Sequence, residues 1–473
     1  MSLVAGVDSS TQSCKIVVCD AATGQIVRES RAAHPDGTSV DPERWWEALV
    51  TATSDGLLED VEAIAIGGQQ HGMVALDEHD EVVCDALLWN DTRSADAAGD
   101  LVRELGGAQT WAEQVGSVPV AAFTVSKVRW LAEHEPESAE RTQTVVLPHD
   151  WITGRLLRER GGFDGWSTDR GDASGTGYWS AREGRYRDDL MELALGRVFE
   201  VPRVLEPAET AGTVANGMIV AAGTGDNMGA GLGLGLQPGD VVVSLGTSGT
   251  VFTVSQTCPT DPTGAVAGFA DATGQFLPLM CTLNAARVLT AAVSMLGVDL
   301  SELDRLALAA EPGAGGLSLL PYLDGERTPD LPHATGTLSG LTRSNATPEN
   351  IARAAVEGML LNLRDGVEAL RGQGAEVDRV LLIGGASAST AVQQVAGSLF
   401  GVPVSVPAPA EYVGIGAARQ AAWALSGEPE PPEWSPALTA QTGADGIPDP
   451  SGPQNEEMVQ RYAELRQTVH RTG

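Results

Sequence analysis

Leu3-Val4-Ala5-Gly6-Val7 runs into Asp8-Ser9-Ser10-Thr11-Gln12-Ser13 and leaves through Cys14-Lys15-Ile16-Val17-Val18. Far along the chain the pattern returns: Asp240-Val241-Val242-Val243, then Ser244-Leu245-Gly246-Thr247-Ser248-Gly249, then Thr250-Val251-Phe252-Thr253-Val254. Each stretch is a β-rich run, a tight turn of small and hydroxyl residues, and a second β-rich run, which predicts a hairpin. Such a turn offers backbone N–H groups and hydroxyls to an anion. A plain structural turn is the alternative for either stretch alone. Two of them, one in each half of the chain, point instead to two related domains gripping one polyphosphate.

The residues around the first turn add chemistry. Asp8 closes a buried strand directly before the turn, where a carboxylate can hold Mg²⁺ while the turn N–H groups and Lys15 face phosphate. Lysine is scarce: Lys15 and Lys127 are the two in the chain, and one lies inside this hairpin. The second turn has neither acid nor lysine and is richer in glycine.

Working outward, the first half reads as mixed α/β. Strands are expected at 3–7, 14–19, 25–32 and 62–67. A helix is expected at 42–58, with Asp41 as its cap and Pro42 at its first position. Further helices are expected near 92–105, 124–134 and 149–158. The stretch 159–178, rich in Gly, Asp and Ser, reads as loop. Ile219-Val220-Ala221-Ala222 reads as a short buried strand. The turn cluster Leu236-Gln237-Pro238-Gly239-Asp240 marks a domain boundary. Beyond it, helices are expected near 284–296, 301–310, 348–371 and 389–400, with strands at 380–383 and 402–406. Residues 428–453 read as a mobile connection. Met458, Tyr462, Leu465 and Val469 then recur at helical spacing. Strands followed by helices in both halves suit two α/β domains with a cleft between them.

Bulk properties exclude several classes. A chain of 473 residues suits two or three domains. Its 42% hydrophobic and 20% charged residues are those of a folded soluble protein. No apolar run approaches a membrane span, and no secretory signal is visible. A net charge of −33 argues against nucleic acid and anionic membranes as partners. An acidic chain that binds a polyphosphate therefore needs local donors and a divalent cation. The five cysteines are odd in number and form no CxxC pair, which fits a reducing cytoplasm.

Three other constellations could carry chemistry. Gly384-Gly385-Ala386-Ser387, between a buried strand and a helix, would let a flat ring or ribose approach the backbone. Gly223-Thr224-Gly225-Asp226-Asn227 puts a carboxylate at a strand end near a helix start, a good position for a general base in phosphoryl transfer to an alcohol. Gln69-Gln70-His71-Gly72, taken with Trp89-Asn90-Asp91-Thr92-Arg93, gathers amide, imidazole, indole and carboxylate groups suited to a polyhydroxy ligand. Each has a plainer reading as packing or turn chemistry.

Taken in order, these elements resemble the FGGY carbohydrate kinases of the actin/Hsp70-like superfamily. The resemblance covers essentially the whole chain. It is carried by Gln70-His71-Gly72, Leu88-Trp89-Asn90-Asp91, Phe123-Thr124 with Lys127, Leu147-Pro148 with Asp150, and Ser167-Thr168-Asp169 through Asp172-Ala173-Ser174-Gly175-Thr176. Later motifs are Gly225-Asp226-Asn227, Ser244 through Gly249, Pro321-Tyr322-Leu323-Asp324-Gly325-Glu326-Arg327-Thr328-Pro329, and Gly384-Gly385-Ala386.

The resemblance implies two ribonuclease H-like α/β domains with a ligand cleft between them. A sugar-binding domain would span 1–238 and an ATP-binding domain 239–454. A C-terminal helix at 455–473 would pack back on the first domain. It implies a cytoplasmic, ATP- and Mg²⁺-dependent kinase of a ketopentose, and the members it resembles most act on D-xylulose. Sister enzymes acting on ribulose, gluconate or glycerol are the alternative, and an actin-like ATPase module is a more distant one. A homodimer is common in the family. By the same resemblance Asp226 is the general base and Asp8 the acid near metal and phosphates. Thr11, Lys15, Gly246 and Thr247 would line the phosphates, and Gly385 and Ala386 the adenosine. Gln70, His71 and Asn227 would contact the sugar, with Trp89 and Asn90 beside them. The chain departs from the family in three places. Ser10 replaces the glycine of the first turn, Gln70 replaces a methionine, and the region of Ala391 lacks an aromatic.

Overall fold

The computed structural model describes residues 2–442 and 453–470. By contact the chain falls into two compact units. The first gathers residues 2–236, 255–277 and 410–436, and the second gathers 237–254, 278–409, 437–442 and 453–470.

The first unit is built on β1 (Leu3–Ser9), β2 (Ser13–Asp20), β3 (Ile26–Ala33), β4 (Val61–Gly68), β5 (Thr210–Thr213), β6 (Ile219–Ala221) and β7 (Thr224–Gly225). Their order across the sheet is β5-β6-β4-β1-β2-β3, with β7 also paired to β4. The expected hairpin is β1–β2, in antiparallel register from Leu3↔Asp20 to Ser9↔Cys14. β4 runs parallel to β1, and β6 and β7 run parallel to β4.

β1 is buried on both faces, as its unbroken apolar run requires. Ala5, Val7, Ile64 and Ile66 face a core that includes Trp45, Trp151 and Ile152. Val4, Ala63 and Ala65 face Ala417, Ala418, Ala421 and Ala422 of the helix Tyr412–Ser426. That helix lies within the span expected for the second domain, yet it packs here because small residues let backbones meet. A Cβ on Gly6 would stand 1.9 Å from Gly414 O, and one on Gly416 would stand 1.8 Å from Gly229 O.

The second unit repeats the plan with β8 (Gly239–Leu245), β9 (Gly249–Thr253), β10 (Phe276–Thr282), β11 (Val377–Ile383), β12 (Val404–Pro407) and β13 (Leu438–Thr442). Their order is β10-β9-β8-β11-β12-β13. β8–β9 is the second hairpin, and β11 runs parallel to β8. Strand for strand, this is the order β3-β2-β1-β4-β6-β5 of the first unit.

Three expectations need revision. Residues 159–178 are not all loop: Ser167–Asp169 is a buried strand and Arg170–Gly175 a buried helix. Its Gly, Asp and Ser content suggested loop, but the Asp169 carboxylate is used internally, accepting from Gly171 N and Asp172 N as the helix cap. The C-terminal helix Pro453–His470 makes its contacts with the second unit rather than the first. Arg461 reaches Ser318 Oγ and Gly313 O, and Arg466 pairs with Asp365. Of the expected mobile connection 428–453, the part to Thr442 is described: Trp434 is buried and β13 pairs with β12. Residues 443–452 lie outside the described residues.

Candidate active site

Parallel pairing brings the candidate residues of the first unit to one end of its sheet. Asp8 stands opposite Gly67 and Ser9 opposite Gly68 in register, while Thr224 and Gly225 flank the same two residues from the other side. The chain therefore delivers the Asp8 turn, the Gln69–His71 loop and Asp226 from the carboxyl ends of neighbouring strands. In open α/β sheets this is the edge where ligands bind.

Asp226 opens the helix Asp226–Leu234. Its Oδ1 accepts from Asn227 N and Asn227 Nδ2, both at 2.7 Å. A helix N-terminus favours an anion. Even so, burial and the neighbouring Asp8 carboxylate push the Asp226 carboxyl up to about 7, against the two bonds from Asn227. Asn227 Nδ2 also lies 3.5 Å from Gln70 Oε1, which ties the base position to the Gln70 loop.

Asp8 is buried, and its Oδ1 has no hydrogen-bond partner. Burial raises its carboxyl to about 6; Lys15 opposes the shift and Glu411 adds to it. Lys15 Nζ sits 3.5 Å from Asp8 and 2.7 Å from Glu411. Burial lowers the Lys15 pKa, but the two carboxylates outweigh it, so the ammonium is held more firmly charged than usual. Glu411 was not foreseen, because it lies 396 residues from Lys15 in sequence. The buried Asp8 Oδ1, a carboxylate oxygen without a donor, is the kind of ligand a hard divalent cation takes.

Ser10 Oγ bonds back to Ser13 O within the turn, at 3.2 Å. Thr11 Oγ1 accepts the indole N–H of Trp89 at 2.9 Å. Asn90 Oδ1 is buried without a hydrogen-bond partner.

His71 has φ +67°, a left-handed conformation that a non-glycine residue adopts at some cost. Neighbouring groups hold it there. Thr124 Oγ1 donates to His71 O at 3.1 Å, and Nδ1 lies 2.7 Å from Gly175 O. A carbonyl only accepts, so Nδ1 carries the proton. The imidazole stacks on Phe123 at 4.7 Å and tilts against Phe269 at 5.4 Å. Lys127, the second lysine, is fully buried and donates to the carbonyls of Ala121 and Ala122, fixing the approach to Phe123.

Behind the Gln70–Asp226 floor lies an ionic cluster that sequence reasoning gave no role. His149 Nε2 is 3.0 Å from Asp169, 3.2 Å from Asp172 and 3.3 Å from Asp150. All four side chains are buried. Burial disfavours the imidazolium, yet the three carboxylates outweigh it and push the His149 pKa up to about 10. Burial, followed by the other carboxylates, holds Asp172 well above the usual range despite His149. Glycine lets the site floor lie against this cluster: a Cβ on Gly225 would stand 2.8 Å from Asp172 Oδ1 and 2.9 Å from Gln70 Cγ.

In the second unit, Gly246 and Thr247 form the turn of the β8–β9 hairpin. Their carbonyls accept from Ala286 N at 2.9 Å and Ala285 N at 3.3 Å. Gly384, at φ +86°, presses against the Leu245 backbone, so the Gly384–Ala386 turn lies beside the hairpin. A Cβ on Gly385 would meet nothing within 4 Å, and one on Gly246 would meet only Ser248 O at 3.2 Å. Gly385 thus faces open space, as a close ligand approach requires, while Gly246 is crowded only by the backbone of its own turn. Ser387 Oγ closes its turn on Gly384 O at 2.7 Å, and Gln393 Nε2 holds Ser387 O at 2.8 Å.

The chain is similar to known proteins in sequence and fold. The model of the N-terminal domain of the FGGY family of carbohydrate kinases matches residues 3–233, and that of the C-terminal domain matches 241–425. A xylulose kinase of Streptomyces coelicolor is 48% identical over 441 residues, covering 90% of this chain and 89% of its own. One from Escherichia coli is 32% identical over 84% of each chain. The solved xylulose kinase of Bifidobacterium adolescentis superposes with a TM-score of 0.91 at 46% identity, covering 98% of this chain and 99% of its own. The glycerol kinase of Plasmodium falciparum solved with ADP shares the fold, with a TM-score of 0.85 at 17% identity over 100% and 98%. With the two family domains matched over residues 3–233 and 241–425, the chain belongs to the FGGY family of carbohydrate kinases.

Proposed function

We propose that this kinase transfers the γ-phosphoryl group of ATP to D-xylulose, giving D-xylulose 5-phosphate. The observation that carries the acceptor identity is the 48% identity to a xylulose kinase across 90% of the chain. The geometry supports the chemistry. The Asp226 carboxylate takes the proton of the C5 hydroxyl as its oxygen attacks the γ-phosphorus, and ADP leaves with the bridging oxygen. A carboxyl raised to about 7 is poised for that task, since a general base works best with a pKa near the operating pH. Asn227 orients the base through its two bonds. Gln70, His71 and Asn227 bind the sugar hydroxyls, with Trp89 and Asn90 beside them. Phe123 and Phe269, against the His71 ring, stiffen that side of the site.

The phosphate-binding residues are Thr11, Lys15, Gly246 and Thr247, the last two acting through backbone groups. Gly385 and Ala386 leave room for the adenosine. Mg²⁺, bound at Asp8, would neutralise charge on the phosphates, and the unpartnered Oδ1 of Asp8 suits that role. The enzyme acts in the cytoplasm.

The experiment is a panel of acceptors (D-xylulose, D-ribulose, gluconate and glycerol) with ADP release as the readout. D-Xylulose is expected to give the highest kcat/KM. A higher value for another acceptor overturns the substrate assignment and leaves the phosphoryl-transfer chemistry standing.

A further inference from the structure

Trp89 is 39% exposed, unusual for a large aromatic. A single exposed ring needs no explanation in itself. What sets Trp89 apart is that its only polar atom is aimed: Nε1 donates to Thr11 Oγ1 at 2.9 Å. The backbone beneath it is held firmly. Leu88 N donates to Thr38 O at 2.9 Å and Asp91 N to Leu88 O at 3.1 Å. The buried Asp91 carboxylate accepts from Thr38 Oγ1 at 2.8 Å, Arg93 N at 3.0 Å and Arg93 Nε at 2.8 Å. The indole is thus presented from a braced turn.

An indole N–H can donate and never accept. The Thr11 hydroxyl must therefore accept from it, and its own proton is left to donate elsewhere. Thr11 sits in the turn that closes β1 and β2, beside the Asp8 and Lys15 charges. The other hydroxyls of that turn are disposed differently: Ser10 Oγ is spent on Ser13 O, and Ser9 Oγ is buried.

We propose that Trp89 is a positioning residue for the nucleotide, whose indole N–H turns the Thr11 hydroxyl into a fixed donor toward a phosphoryl oxygen. This rests on the reading of the first turn as a phosphate site. It gives Trp89 a role on the phosphate side of the reaction in addition to the sugar contact that the resemblance implies. It also joins the two sides, because the Trp89 loop carries Asn90.

The test is calorimetric titration of ATP, with Mg²⁺, into the full-length protein without sugar. Trp89→Phe keeps the ring face and removes the donor. ATP affinity is expected to fall about three- to tenfold, the worth of one hydrogen bond. Thr11→Val should lose at least as much, Thr11→Ser should retain most of the affinity, and the double variant Trp89→Phe/Thr11→Val should be no weaker than Thr11→Val alone. Steady-state kinetics should show Trp89→Phe raising KM for ATP with the KM for sugar little changed. Unaltered ATP affinity in Trp89→Phe, or losses that add in the double variant, overturns the proposal. Because the titration uses no acceptor, a wrong sugar assignment cannot mimic either result. Wild-type protein that binds no ATP would instead overturn the phosphate reading beneath it.

Discussion

Asp226 concentrates the chemistry in one carboxyl held between two demands. The helix N-terminus and Asn227 favour its charge, while burial and Asp8 oppose it, and opposition wins by enough to bring it to about 7. The ionised form is the active base. The kcat/KM of the enzyme should therefore lose about tenfold per pH unit on the acid side of roughly pH 7, as a pH–rate profile will show. Asp226→Ala should cost about 10²–10⁴-fold in turnover while D-xylulose still binds, measured by ADP release and by sugar titration. The same carboxyl opposes stability. Its folded pKa is raised, so the folded state binds the proton more tightly, and its contribution is lost as pH rises from about 4 through about 7. The melting temperature of Asp226→Asn should accordingly gain on wild type between pH 5 and pH 8. Asp8 answers a different experiment: Asp8→Ala should show low activity and a weakened response to Mg²⁺ titration, whereas an unchanged metal profile would remove it from the site.

At the scale of elements, parallel strands do the gathering. β1, β4 and β7 each end in the residues the site needs, and register places Asp8 beside Gly67 and Gly225 beside Gly68. Much of this was legible in the sequence. Apolar runs gave the strands, and hydroxyl-rich turns gave the hairpins. Asp226 stood out as a carboxylate between a strand and a helix. What stayed hidden depends on long-range packing. Glu411 reaches Lys15 from the start of the helix Tyr412–Ser426, where no element was expected, and that helix joins the first unit through glycine contacts no local pattern reveals. The His149 cluster was hidden for another reason. Residues 159–178 look like loop because they are polar, and only the fold shows their polar groups serving one another. His149→Ala should leave three carboxylates buried without their cation and cost about 3–5 kcal/mol in urea denaturation. Gly416→Ala, driven against Gly229 O, should cost about 1–3 kcal/mol in the same assay.

At the scale of the whole molecule, the two hairpins head two sheets of the same strand order, as the two-domain actin/Hsp70-like fold requires. The hairpins are unequal in equipment: the first carries Asp8, Thr11 and Lys15, and the second offers backbone and open space. A net charge of −33 makes that inequality understandable, since such a chain needs a cation and focused donors to hold a polyphosphate. Among the described residues no helix is long and apolar enough to cross a membrane. The most direct measurement is a ³¹P NMR spectrum of the protein with ATP, Mg²⁺ and D-xylulose. ADP is expected together with a phosphomonoester coupled to the two C5 protons of the sugar, and no such ester when Asp226 is replaced by alanine. Release of inorganic phosphate with no sugar ester would contradict it.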